Sequence, residues 1–386
     1  MMDSGSNFSP YRFLPHLVIF MLTAAPYAVG LWALRDRLES WGVKRISHET
    51  AAIAFAFAVL DGVLLAALTP LGLSYGPIGL ALFAFVACRL FLAALLTFSL
   101  RRPGRGHLPL QTVSHLPAAG LAVLLALNLG LLAVEVDGFY IEPFALGVTE
   151  ISAAGPEPLT IVHLTDLHVE RITRREREML AIVQAVRPDL IVLTGDYLNQ
   201  EYLSDPLAQR ETRQILAQLD APLGVFAVSG SIDTPLDMAA IFEGLPIRVL
   251  NDETVRLPLA GGDLYLVGVS HQGLWRDRQA LTRLMADIPP QASTLLLYHT
   301  PDLIESAAAE GVDIYLAGHT HGGQIRLPFY GAIITFSHYG KRYEMGEYHL
   351  GPTRLYVSRG IGLEGLGLPR VRFLCPPEIV VLQLQP

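Results

Sequence analysis

Apolar positions are spread unevenly along the 386 residues. In the first third of the chain, four stretches, 14–34, 51–71, 77–100 and 116–136, run almost without a charge. Each reaches the roughly 20 residues that carry a helix across a bilayer. The pattern therefore predicts an all-α, four-helix transmembrane region over residues 1–137. Arg35 and Arg37 follow the first stretch instead of preceding it, which reads as a retained anchor and not as a signal peptide. Beyond this region the pattern shifts. Residues 138–157 read as a linker, and over 158–386 short β-branched runs alternate with segments of helical period. Strands are predicted at 160–164, 190–193, 224–228, 264–267, 294–297, 313–316, 354–357 and 379–384. One helix should begin at Thr173, where Thr173 and Glu176 fit a capping box, and others should cover 207–219, 237–242 and 277–285. This alternation implies an α/β domain.

Charge refines the picture. Arg35, Arg37, Lys44 and Arg45 follow the first apolar stretch, and Arg101, Arg102 and Arg105 follow the third. Basic loops stay on the cytoplasmic side, so the amino terminus and the large carboxyl-terminal domain are expected outside the cytoplasm. Asp61 and Arg89 lie within the second and third stretches. A hairpin would bring them to similar depth, giving an intramembrane ion pair or, alternatively, part of a substrate or proton path. The two cysteines, Cys88 and Cys375, fall in different regions and make no disulfide framework. A net charge of -8 and the lack of a basic, aromatic stripe argue against nucleic acid as a partner.

The chemistry gathers at predicted strand ends. Gly318-His319-Thr320-His321-Gly322-Gly323-Gln324 follows the apolar run 312–317. On extended backbone, residues i and i+2 share a face, so both imidazoles should point to one place. The same holds for Asp166 and His168 after 161–164; Asp196 follows 190–193, and His299 follows 295–297. Ligands of open α/β sheets collect beyond the carboxyl ends of strands. The four exits supply two carboxylates and four imidazoles without a thiolate. Such a donor set suits Mn, Fe, Zn or Co better than a structural zinc site. His271 follows another strand and is a candidate pocket residue, and Arg359, in a glycine-rich tail, is a candidate phosphate contact.

Together and in this order, these fragments resemble the calcineurin-like metallophosphoesterase superfamily over about residues 158–386. Gly322-Gly323-Gln324 with Arg326-Leu327-Pro328, Tyr356-Val357-Ser358-Arg359-Gly360-Ile361-Gly362 and Cys375-Pro376-Pro377-Glu378-Ile379 look like its bacterial membrane-associated branch. The resemblance implies a sandwich of two mixed β-sheets flanked by helices. It also implies two divalent metal ions (Mn, Fe or Zn) bridged by Asp196. Asp166, His168 and His321 would complete one site, and His299 and His319 would belong to the other. Paired cations acidify a water and clamp phosphate oxygens. The implied reaction is hydrolysis of a phosphomonoester, phosphodiester or pyrophosphate. With four membrane spans the substrate could be lipid-linked, and the expected location is a bacterial inner membrane. One motif departs from the family, which usually has Gly-Asn-His followed by Asp or Glu; this chain has Gly230-Ser231-Ile232-Asp233. Ser231 would be a weak replacement ligand. Ile232 cannot donate a proton, leaving Asp233 and His271 as the catalytic candidates beside Asp196. A catalytically impaired scaffold or sensor at the membrane is the alternative.

Overall fold

The computed structural model describes residues 48–74, 76, 78–99, 118–364 and 369–386. The chain falls into two compact units divided between Tyr140 and Ile141, with residues 369 and 370 grouped with the first.

The first unit contains α1 (His48–Leu68), α2 (Gly79–Ser99) and α3 (Ala118–Val136). The expected first span, 14–34, lies outside the described residues, as do the basic loops that set the expected topology. Large apolar side chains such as Phe55, Val63, Phe83, Phe91 and Leu129 face outward, while Asp61, Arg89 and Asn128 are completely buried. The expected pair forms. Arg89 donates through Nε to Asp61 Oδ2 at 2.6 Å and through Nη2 to Oδ1. Its Nη1 donates to Asn128 O at 2.9 Å and Oδ1 at 3.0 Å. Such two-point pairing is the strongest way to hold a buried guanidinium.

Four spans are not shown. Among the described residues one helix, Ala118–Phe144, is long and apolar enough to cross a membrane, whereas Ala52–Leu68 and Gly79–Ala94 are shorter. The run read as a single span from residue 51 to 71 is cut by the turn after Leu68, where Pro70 has no N–H to continue a helix.

The second unit carries two sheets. In chain order its strands are β1 (Gly147–Ala154), β2 (Leu159–Leu164), β3 (Leu190–Leu193), β4 (Val225–Ala227), β5 (Arg248–Val249), β6 (Glu253–Leu259) and β7 (Gly262–Gly268). They continue as β8 (Ser293–Leu297), β9 (Ile314–Ala317), β10 (Arg326–Leu327), β11 (Gly331–Ala332), β12 (Gly346–Leu350), β13 (Thr353–Val357) and β14 (Glu378–Gln385). The spatial orders are β1-β14-β2-β3-β4-β5 and β12-β13-β9-β8-β7-β6, with β10 and β11 forming a separate hairpin. Both sheets are mixed: β14 is parallel to β1 and antiparallel to β2, and β13 is parallel to β9 and antiparallel to β12.

The segment expected to be a linker, 138–157, is instead structured. It holds short helical turns up to Phe144 and the whole of β1. The eight residues of β1 alternate between partly covered and exposed, and their small side chains give only a faint apolar signal. Pairing with β14, far away in sequence, makes them a strand.

Ile161, Val192 and Leu382 of the first sheet meet Leu266, Leu295 and Leu316 of the second in the layer between the sheets. Val162, Ile191 and Val381 pack on the other face with Met179, Ile215 and Ile241. Those three come from α4 (Arg174–Val186), α5 (Pro206–Leu216) and α6 (Pro235–Phe242). Outside the second sheet, Val267, Leu296 and Tyr315 pack with Leu281 and Ile304, from α7 (Leu274–Ala286) and α8 (Ile304–Glu310). Neighbours such as Ile161 and Val162 point to opposite faces. Both faces are covered, which explains why the central strands read as unbroken apolar runs. The capping box at Thr173 and Glu176 is present at the start of α4.

Candidate metal centre

The carboxyl ends of β2 and β3 in one sheet and of β8 and β9 in the other bring six candidate ligands into two groups. Asp166, His168 and His321 form one, and Asp196, His299 and His319 the other. Within each group, one donor atom from every residue lies within 4.8 Å of the others. His168 Nε2 faces His321 Nε2 at 3.0 Å, with Asp166 Oδ1 3.5 Å from the latter. In the second group His319 Nδ1 faces His299 Nε2 at 3.2 Å, and His299 Nε2 lies 3.1 Å from Asp196 Oδ2. Converging ring nitrogens and carboxylate oxygens at these separations fit a cation bound at about 2.0–2.2 Å from each donor.

The extended backbone expected at Asp166 and His168, and at His319 and His321, is not found. All four, and Asp196, lie in the left-handed region, with φ of 51°, 40°, 68°, 50° and 56° respectively. The chain has already left the strands, so His319 and His321 diverge to different groups. Non-glycine residues held there store strain of about 1–3 kcal/mol each. Backbone bonds from Asp166 N to Gly195 O and from His168 N to Asp196 O, both 3.0 Å, hold the turns. The His319 N–H donates to both oxygens of Asp166, at 3.1 and 3.0 Å. Gly318 permits this approach, because a Cβ there would sit 2.2 Å from Asp166 Oδ2.

Partners outside the groups aim the rings. His299 Nδ1 bonds to Thr194 O at 2.7 Å, and His319 Nε2 lies 3.4 Å from Phe336 O. Each contact leaves the opposite nitrogen turned toward the group, as second partners of metal-binding histidines do. His168 Nδ1 lies within ion-pair distance, 3.1 Å, of Glu364 Oε2.

Electrostatics divides the donor set. Burial opposes the Asp196 charge, but the adjacent His299 imidazole overrides it and holds the carboxyl well below the usual carboxylate range. The same contact lifts His299 to about 10 against its own burial. Burial and the His299 charge push His319 down to about 3, and burial with the His168 charge lowers His321. These last two rings therefore offer neutral lone pairs, the form that binds metal.

The remaining candidates fare differently. Asp233 was expected to act chemically; it is buried and accepts backbone N–H groups from Asp196 at 2.6 Å, Gly230 at 2.8 Å and Tyr197 at 3.2 Å. It shapes the Asp196 turn by accepting these three backbone amides. Ser231 lies at the second group, its hydroxyl donating to Asp196 Oδ2 at 3.1 Å, and Ile232 N–H donates to Oδ1 at 3.1 Å. His271 is partly buried, stacked on Tyr298 at 5.9 Å and edge-on to His299 at 6.2 Å. Arg359, expected to meet phosphate, instead pairs with buried Glu378: Nη2 reaches Oε2 at 2.7 Å, and the Arg359 backbone N–H reaches Oε1 at 2.8 Å.

Two residues at the site escaped sequence reasoning. Glu364 beside His168 carries no motif. Arg372 is completely buried and donates to the carbonyls of Arg359, Gly360, Gly362 and Cys375. An arginine that serves only backbone acceptors leaves no spacing signal.

Comparison with known proteins agrees with this geometry. Residues 159–323 match the family model described as calcineurin-like phosphoesterase. The chain is 32% identical over 268 residues to the metallophosphoesterase YkuE of Bacillus subtilis (strain 168), covering 64% of this chain and 88% of that protein. It is 30% identical over 246 residues to phosphodiesterase YaeI of Escherichia coli (strain K12), covering 59% and 82%. It is 24% identical over 310 residues to UDP-2,3-diacylglucosamine pyrophosphatase LpxG of Chlamydia trachomatis serovar D, covering 63% and 91%. Since all six candidate ligands fall within the matched residues and the Bacillus relative is spanned nearly end to end, the chain belongs to the calcineurin-like phosphoesterase family.

Proposed function

We propose that this chain is a membrane-anchored hydrolase of phosphate esters that works with two divalent cations. Asp166, His168 and His321 would hold one and His299 and His319 the other, with Asp196 shared. The observation that carries the reading is the reach of Asp196 Oδ2, 3.1 Å from His299 Nε2 and 3.8 Å from His168 Nε2. When bound, such ions supply an acidified water and positive charge for the phosphate oxygens. The chain's own residues do the rest. Ser231 and the Ile232 N–H orient Asp196, and Asp233 fixes the turn that presents it. His271, on the rim beside His299, is the imidazole placed to donate to substrate where Ile232 has no proton to give.

A site with isoleucine at the family's usual histidine position favours an ester whose leaving oxygen is a weak base, such as a nucleotide phosphate or a pyrophosphate. The names of two relatives, a phosphodiesterase and a UDP-2,3-diacylglucosamine pyrophosphatase, support that class. Outward apolar side chains and an inward Asp61–Arg89 pair support the first unit as a membrane anchor. We place the catalytic unit outside the cytoplasm of a bacterial inner membrane. A carboxyl-terminal reporter active only in the cytoplasm would overturn that orientation.

Metal content of the purified chain, with hydrolysis of activated mono- and diesters, tests the reaction. Two ions per chain and turnover abolished in Asp196→Asn are expected. Ser231 and Ile232 favour a second reading, a scaffold that binds metal without hydrolysis; metal retained with no turnover on any ester would select it.

A further inference from the structure

Beyond the family-matched residues, the chain makes a short hairpin at the rim of the metal centre. β10 and β11 pair through Arg326 with Ala332 and Leu327 with Gly331. The base is well tied down. Arg326 donates to Gly322 O at 2.7 Å and to Glu344 Oε1 at 2.8 Å, and the Ala332 N–H donates to Glu344 Oε2 at 3.1 Å. The tip is a different matter. Phe329 is completely exposed, and Leu327, Tyr330, Ile333, Ile334 and Phe336 are each about half exposed or more. Leu236 and Trp275 are also exposed, but among the described residues no other large exposed apolar side chain lies within several residues of either along the chain. Phe329 also has a φ of 65°, a conformation that bulky residues avoid. Neither internal packing nor backbone preference explains a phenylalanine at that position.

Three observations identify what covers this tip. Lys341, whose ammonium lies 3.4 Å from the centre of the Tyr330 ring, stands beside it, and exposed Arg342 follows it in the chain; among the described residues neither forms an ion pair. Aromatic and aliphatic side chains bordered by basic ones match the boundary between acyl chains and anionic headgroups. By connectivity alone, the apolar helix Ala118–Phe144 leads into β1 at Gly147, so a membrane holding that helix cannot be far along the chain from this unit. Finally, the hairpin ends at Phe336, whose carbonyl faces His319 Nε2. A molecule resting on the hairpin would therefore have its polar end beside the second ligand group.

We propose that the hairpin 325–336 is a bilayer-docking surface, inserting Phe329, Tyr330, Ile333 and Ile334 into an anionic membrane and delivering bilayer-borne phosphate esters to the metal centre. The delivery rests on the hydrolase reading above; the docking does not.

The test uses the full chain in nanodiscs of phosphatidylethanolamine and phosphatidylglycerol, on a Cys88→Ala background that leaves Cys375 buried. A fluorophore attached in the Phe329→Cys variant should be quenched by spin-labelled lipid. The same fluorophore in Leu236→Cys, at an exposed site on α6, should not be. Equal quenching at both sites, or none in Phe329→Cys, overturns the proposal. Crosslinking of Phe329→Cys between chains without lipid quenching would also overturn it and assign the hairpin to a second copy. In kinetics, the triple variant Phe329→Ser, Ile333→Ser, Ile334→Ser should lose at least tenfold on an ester carried in vesicles and keep its rate on a soluble aryl diester. Equal loss on both substrates counts against docking. Absence of hydrolysis by the unmodified chain counts against the hydrolase reading, while the quenching result stands by itself.

Discussion

Asp233 accepts the backbone N–H of Asp196 at 2.6 Å, so the Asp196 carboxylate of the second ligand group is presented by another buried carboxylate behind it. Asp233→Asn would turn an amide toward the N–H groups of Asp196, Tyr197 and Gly230. Leaving buried donors unmatched costs about 1–3 kcal/mol each. Urea unfolding should show reduced stability, with metal content falling in parallel. Turnover lost at unchanged stability would instead make Asp233 a chemical participant.

Gly318→Ala places a methyl group 2.2 Å from Asp166 Oδ2 and 2.3 Å from Thr165 Oγ1. The Asp166 carboxylate must then leave the His319 N–H. Metal analysis should show about one ion lost per chain. Gly130→Ala in α3, with nothing within 4 Å, serves as the control and should keep its full complement.

Ser231→Asn combined with Ile232→His restores the usual family pattern. Because a general acid contributes roughly 10²–10⁴ in rate, hydrolysis of esters with poor leaving groups should rise, and esters with good ones should change little. A fall on both would mean that the site has adapted to chemistry in which Ile232 is an asset. His271→Ala should behave in the opposite sense, losing most on poor leaving groups.

His163 gives a pH signature. Burial lowers it to about 3 from 6.5, and its Nε2 lies 2.7 Å from Thr194 Oγ1. Below pH 6.5 the unfolded chain takes up a proton that the folded chain refuses until near 3. Folding stability is therefore complete above 6.5 and declines as pH falls toward 3, by up to about 1.4 kcal/mol per unit. Stability measured by urea at several pH values should fall less steeply for His163→Gln than for the native chain.

The parts of this protein legible in its sequence are those where burial writes a pattern. β2, β3, β8 and β9 are covered on both faces and read directly as apolar runs, and the ligands follow where those runs stop. β1 stayed hidden because its partner is distant and its exposed face carries little apolar signal. The shared face expected of His319 and His321 failed because left-handed turns, not strand periodicity, set their directions. Asp233 and Arg359 have partners that their motifs do not show. A sequence shows a charged residue near a motif, but not that backbone amides or Glu378 have already claimed it.

The placement of β14 between β1 and β2 has a consequence for synthesis. β1 leaves the apolar helix early but pairs only with β14, and β2, which aims Asp166 and His168, keeps one edge bare until residues 378–385 have been translated. The nascent chain must carry two open strand edges while most of the domain is still being made. Such edges invite foreign strands. Assembly of the strand ends that present the candidate ligands thus waits for β14, and a ribosome stalled before β14 would release a chain prone to aggregate.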